Sequence, residues 1–131
     1  MTKKELSQLY WLNREIEEQQ RRLLELESLA TSCTSRITGM PSSRHIVDKL
    51  GEYTAEIADL RGLIDLNIKK CFYELNRLNR YINTVEDSQM RTILALRYVN
   101  GLGWGQVAHS IGGGNSDKSI QMMVNRFLAK Q

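Results

Sequence analysis

An all-α fold is expected: a long antiparallel, coiled-coil-like helical hairpin over residues 1–86, followed by a small C-terminal three-helix unit over 87–131. Three observations predict it. A single proline among 131 residues leaves little in the chain that stops a helix. Apolar residues recur at alternating steps of three and four through residues 9–30 and again through 46–85, the spacing of helices that bury one seam. Beyond residue 86 the apolar runs shorten and glycines separate them. Isolated helices below about 12 to 15 residues are marginal in water, so these last helices must share one core.

The first helix begins at Thr2, whose hydroxyl forms a capping box with the Glu5 carboxylate three residues on. Its seam runs through Leu9, Leu12, Ile16, Leu23, Leu26 and Ala30 and is interrupted by Gln19. Tyr10, Trp11, Leu24 and Leu29 lie off that seam, where one partner helix cannot cover them. A second contact surface follows, and with it a homodimer or higher oligomer built through the helical half. Residues 31–44, TSCTSRITGMPSSR, break the pattern with serine, threonine, glycine and the proline, and are expected to form a loop. Arg36 and Arg44 give that loop a basic character that serves solvation or a second phosphate contact.

The second helix carries Ile46, Leu50, Tyr53, Ile57, Leu60, Ile64, Ile68, Cys71, Leu75, Leu78, Ile82 and Val85 at helical spacing. Gly51 and Gly62 are tolerated inside it at some cost. The extra step of four between Ile64 and Ile68 is a stutter in the heptad rhythm. About 60 Å of rod results, against about 40 Å for the first helix. Folded back as a hairpin, Ala30 is expected near Ile46, Ile16 near Leu60, and Leu9 near Asn67 or Ile68. Leu75, Leu78, Ile82 and Val85 then overhang, to be buried by the C-terminal unit or another subunit. Lys69, Lys70, Arg77 and Arg80 ring that joint.

The C-terminal unit opens at Asp87, a helix cap before Met90, Ile93, Leu94 and Tyr98, which share one helical face and are stopped by Asn100-Gly101. Trp104, Val107, Ala108 and Ile111 form the apolar stripe of a second short helix ended by Gly112, Gly113 and Gly114. Ser116 caps a third, which turns Ile120, Met123, Val124, Phe127 and Leu128 inward and leaves Lys118, Ser119, Gln121, Met122, Asn125 and Arg126 outward. Ala108 is small enough to let the second and third helices cross closely. This is the logic of a helix-turn-helix.

Charge divides unevenly. Residues 1–87 hold 13 Lys and Arg against 14 Asp and Glu, net −1, and residues 88–131 hold 5 against 1, net +4. A basic unit on a near-neutral scaffold suits an electrostatic pull toward phosphates. Two cysteines are too few for a disulfide framework and lack zinc spacing. In a hairpin Cys33 and Cys71 stand roughly 38 Å apart, far beyond disulfide reach. No run approaches the roughly 20 apolar residues needed to span a bilayer, and MTKKELSQLYW lacks the apolar core of a signal peptide, so no membrane partner and a cytoplasmic location are expected. His45 and His109 stand alone, no Ser-His-Asp arrangement is suggested, and GGGN follows no strand. No enzyme, metal or cofactor is expected.

The run LRYVNGLGWGQVA, then IGG, Asn115, Ser116 and SIQMMVNRFL, resembles region 4 of bacterial sigma factors, and more closely the phage transcriptional activators of the RinA and ArpU type. ITGMPSS at 37–43 is similar to the inter-helix loop of those activators. The resemblance implies a phage-encoded activator of late genes that contacts double-stranded DNA and, in one reading, host RNA polymerase. Gly103 and Gly105 depart from the family's serine before the tryptophan and acidic residues after it, which removes a cap and costs about 1 kcal/mol of helix propensity. The turn between Ile111 and Ile120 is about two residues longer than a minimal one.

On the third helix, residues near the N-terminus enter a major groove most deeply, so Lys118, Ser119, Gln121 and Met122 are expected at base edges. The Gln121 amide suits adenine N6 and N7, and Met122 a thymine methyl. Asn125, Arg126 and Gln106 are expected at phosphates. Asp117 favours the helix N-terminus yet repels phosphate, unless it accepts from a cytosine amine. Two other readings stay open: a small terminase-like subunit that recognises packaging sites through a ring, and a helical adaptor that binds sigma factor or polymerase without touching DNA.

Overall fold

The computed structural model describes residues 1–37 and 44–131, and describes side chains outside 33–47. Among the described residues the chain is all-α, with no strand. Its elements are α1 (Lys3–Leu6), α2 (Gln8–Ile37), α3 (Arg44–Asn83), α4 (Ser88–Leu94) continued by a π-helical turn (Ala95–Val99), α5 (Trp104–Ile111) and α6 (Asp117–Ala129). They divide between two compact units, one of Met1–Asn13 with Cys71–Gln131 and one of Arg14–Lys70. No described helix is long and apolar enough to cross a membrane.

The chain enters its first helix as Thr2 and Glu5 dictate. The Glu5 carboxylate accepts the Thr2 backbone N–H at 2.8 Å, and the Thr2 hydroxyl accepts the Glu5 N–H at 3.3 Å. The Thr2 N–H bond is also the main reason the Glu5 carboxyl is held below its ordinary range. Ser7 then interrupts the helix, its hydroxyl donating to the Lys3 carbonyl at 2.9 Å, a back-bond of the kind that bends helices.

In the Arg14–Lys70 unit α2 and α3 run antiparallel, with Gln19 beside Asn67 and Glu27 beside Arg61. The α2 seam of this unit is as the sequence predicts, with Ile16 and Leu26 buried and Leu23 and Ala30 half-buried. The register is not. Pairing Ile16 with Leu60 would set Gln19 against Ile57, whereas the Asn67 amide nitrogen donates to the Gln19 side-chain oxygen at 3.0 Å. Asn67 is only 6% exposed, and a buried amide with no partner is costly, so the two polar seam residues find each other. The α3 seam accordingly passes through Asn67 and leaves Ile68 37% exposed. The repeated step of four therefore falls at Cys71, not at Ile68.

Residues 31–37 are helical, not loop. The Thr31 hydroxyl donates to the Glu27 carbonyl at 2.8 Å, and extending an existing helix avoids the cost of nucleating one. The rest of the expected loop, residues 38–43, lies outside the described residues. So do the side chains of Arg36 and Arg44, the Ala30–Ile46 contact and the Cys33 partner of the disulfide argument.

In the other unit, Leu78, Ile82 and Val85 of α3 and its exit are buried with Met90, Ile93, Leu94, Tyr98, Val107, Ala108, Ile120 and Val124, and Leu75 packs against them partly buried. The expected overhang is thus covered by the C-terminal helices, as the sequence predicts. Leu6 and Leu9 join the same core, with Glu5 3.5 Å from Arg77 and the Cys71 thiol 3.5 Å from the Asn13 side-chain oxygen. This is why the compact unit takes in residues 1–13 and 71–86, although the sequence alone draws the division after residue 86. It also overturns the placing of Leu9 near Asn67 or Ile68.

Candidate nucleic-acid interface

Asp87 caps α4 as predicted, accepting the Gln89 N–H at 3.0 Å. Arg91 reaches back to the carbonyls of Val85 and Glu86 at 2.6 and 3.1 Å, so this cation satisfies the end of one segment while starting the next. The helix then widens into a π-turn, in which the Asn100 N–H bonds to the Ala95 carbonyl at 2.9 Å. That turn swings Arg97 over the Trp104 ring, 4.5 Å from its centroid, where it also donates to the Leu102 carbonyl at 3.0 Å. Tyr98 meets the same indole edge-on at 6.4 Å, and burial pushes its phenol above the ordinary range. Ser7, Tyr10, Trp11, Arg97, Tyr98, Gly101 and Gly103 line a cavity of about 420 Å³ there. Periodicity places Tyr98 and Trp104 on their apolar faces but gives no sign that Arg97 stacks on Trp104. Asn100-Gly101 signals only where the helix stops.

α5 starts at Gly103, which has no side chain to cap with. Gln106 compensates, its amide oxygen accepting the Gly103 N–H at 3.0 Å. Gln106 is exposed, and that bond uses its amide oxygen and leaves the amide nitrogen's two donors out of it. Val107 and Ala108 are buried as expected, with Trp104 and Ile111 half-buried at the ends of the stripe. Three consecutive positive φ values, 74° at Gly112, 69° at Gly113 and 74° at Gly114, then reverse the chain. Asn115 locks the reversal by donating to the Gly112 carbonyl at 2.9 Å.

α6 follows from the Ser116 cap. The Ser116 hydroxyl accepts the Ser119 N–H at 3.2 Å, and the Ser119 hydroxyl accepts the Ser116 N–H at 3.1 Å. This changes the reading of Ser119. The sequence places it outward at base edges, whereas the structure half-buries it and commits its hydroxyl to the cap. Its place as third residue of a helix begun at Asp117 is the capping-box position, so the signal was present. Asp117 occupies the first turn and accepts the Lys118 N–H at 2.8 Å.

Ile120 and Val124 are fully buried and Met123, Phe127 and Leu128 half-buried, the inward face that the spacing predicts. Opposite them, at about 100° per residue, Lys118, Met122 and Asn125 fall within about 60° of arc, with Arg126 on one flank and Gln121 on the other. Lys118, Asn125 and Arg126 are exposed, Met122 is 52% exposed, and Gln121 is half-buried. Lys118, Arg126 and Lys130 form no ion pair among the described residues. Searches against protein-family models, curated proteins and solved structures find no match to this chain.

Proposed function

We propose that this protein binds double-stranded DNA sequence-specifically and regulates transcription, with α6 as the helix that enters the major groove. The observation that carries this reading is the outward face of α6. Lys118, Met122, Asn125 and Arg126 stand in solvent there, on a helix oriented by a three-glycine turn and an α5 partner. Among the described residues their side chains make no hydrogen bond, so folding leaves them available. A major groove admits a helix of this diameter, and its N-terminal turns reach the base edges.

In this reading Lys118, Gln121 and Met122 meet bases, Asn125 and Arg126 hold phosphates, and Gln106 adds a phosphate contact from α5. Ser119 acts indirectly, by fixing the first turn through Ser116. The net +4 of residues 88–131 favours phosphate on any sequence. The resemblance to the RinA and ArpU type extends the proposal to a phage-encoded activator of late genes that works with host RNA polymerase.

Binding of the full chain to cognate and scrambled duplexes, followed across salt by fluorescence anisotropy, tests it. Gln121→Ala is expected to cost about 1 to 3 kcal/mol on cognate DNA and little on scrambled DNA. Arg126→Ala is expected to weaken both and flatten the salt slope by about one. If neither changes binding while the helicity is retained, α6 is not the DNA reader; a wild type that binds no duplex puts the adaptor reading in its place.

A further inference from the structure

We infer that a second copy of this chain docks antiparallel on one face of α3, with Leu63 of each copy against Leu66 of the other and Asp59 of each against Lys70 of the other. The four residues all belong to the Arg14–Lys70 unit and recur at i, i+4, i+7 and i+11. At about 100° per residue they share about 60° of arc, centred about 110° around the helix from the seam that α2 covers. Leu63 is 51% and Leu66 49% exposed, and Asp59 and Lys70 are exposed with no ion pair among the described residues.

The order of charge decides the geometry. A dimer made from one patch must be self-complementary about a two-fold axis. Parallel pairing would set Asp59 against Asp59 and Lys70 against Lys70. Antiparallel pairing, with the axis between residues 64 and 65, sets opposite charges together at both ends and leucine on leucine between them. Like charges held across such a seam oppose association, and opposite charges set register and orientation.

Gly62 gives a second, independent indication. Glycine is a poor residue for the middle of a helix, and among the described residues no atom beyond its chain neighbours and the helix's own backbone lies within 4 Å of where its Cβ would be, so no contact there requires it. A knob from a facing helix enters a hole formed by residues i, i+3, i+4 and i+7. For the partner's Leu66 that hole is Asp59, Gly62, Leu63 and Leu66, and the missing Cβ deepens it. The apolar centre is small beside the about 1,600 Å² of a standard interface, so the dimer is a reversible one.

Sedimentation velocity of the full chain at tens of micromolar, without DNA, tests this separately from any nucleic-acid reading. The wild type is expected near twice its 15.1 kDa mass. Asp59→Lys and Lys70→Asp are each expected to raise the dissociation constant at least tenfold, and the double variant Asp59→Lys/Lys70→Asp to regain the dimer. Gly62→Leu, which favours the helix but fills the hole, is expected to dissociate the dimer with helicity unchanged by circular dichroism. A monomeric wild type, single charge reversals that leave the dimer intact, or a double variant that stays monomeric would each overturn the inference.

Discussion

At position 112 the backbone takes φ 74° and ψ −156°, a region open essentially only to glycine. Nothing lies within 4 Å of the Cβ that alanine would add there, so packing does not oppose the substitution and only the backbone does. Gly112→Ala is expected to destabilise the protein by about 1 to 3 kcal/mol. Gly105, also uncrowded but inside α5, is expected to gain up to about 1 kcal/mol on becoming alanine. Urea unfolding of the two variants checks the contrast, and equal losses at both sites would contradict it. Arg97 makes a different single-residue point. Its guanidinium stacks on Trp104 and holds the Leu102 carbonyl, so it fixes the entry to α5 and is not a spare cation. Lysine keeps the charge but has no planar group to stack. Arg97→Lys is therefore expected to cost about 1 to 3 kcal/mol in thermal unfolding while leaving the salt slope of DNA binding unchanged. A flattened slope with unaltered stability would move Arg97 to the DNA surface.

Among the elements, the pairing of α2 with α3 turns on Gln19 and Asn67. Either residue alone looks like a flaw in an apolar seam, and together they specify one register, as a buried polar pair does in coiled coils. Gln19→Leu leaves the Asn67 amide without its partner and is expected to cost about 1 to 3 kcal/mol. Adding Asn67→Leu is expected to restore or exceed wild-type stability, with a coupling of about 0.5 to 3 kcal/mol in a double-mutant cycle by urea unfolding. Additive effects would show that the pair does not set the register. The same pair marks what was legible in advance. The all-α class, the α2 seam, the Asp87 and Ser116 caps and the inward face of α6 all follow from spacing and cap chemistry, which act within a few residues. The register is not legible, because residues 31–37 look like loop by composition yet continue α2. Leu6 lies before the regular seam that starts at Leu9, and no spacing along α2 points to it. The Arg97–Trp104 stack depends on a π-turn, whose bonds from residue i to i−5 leave no periodic trace in the sequence. On α6, Lys118, Met122, Asn125 and Arg126 are exposed as their spacing predicts, Gln121 is half-buried, and Ser119 is taken by the cap.

For the whole molecule, the charges of the C-terminal region are not interchangeable. Arg91 and Arg97 bind carbonyls of their own chain, while Lys118, Arg126 and Lys130 stand in solvent. In the proposed reading the long-range pull toward phosphate comes from all of them, and the base contacts come from α6. The central claim is that the outward face of α6 meets the major groove. Methionine methyl NMR of the full chain, titrated with a cognate duplex, tests it most directly, because Met122 is 52% exposed on that face and Met90, in the core, is 5% exposed. The Met122 methyl resonance is expected to shift with a midpoint that moves to higher DNA concentration as salt rises, while Met90 stays in place. Saturating DNA that leaves Met122 unmoved would contradict the claim.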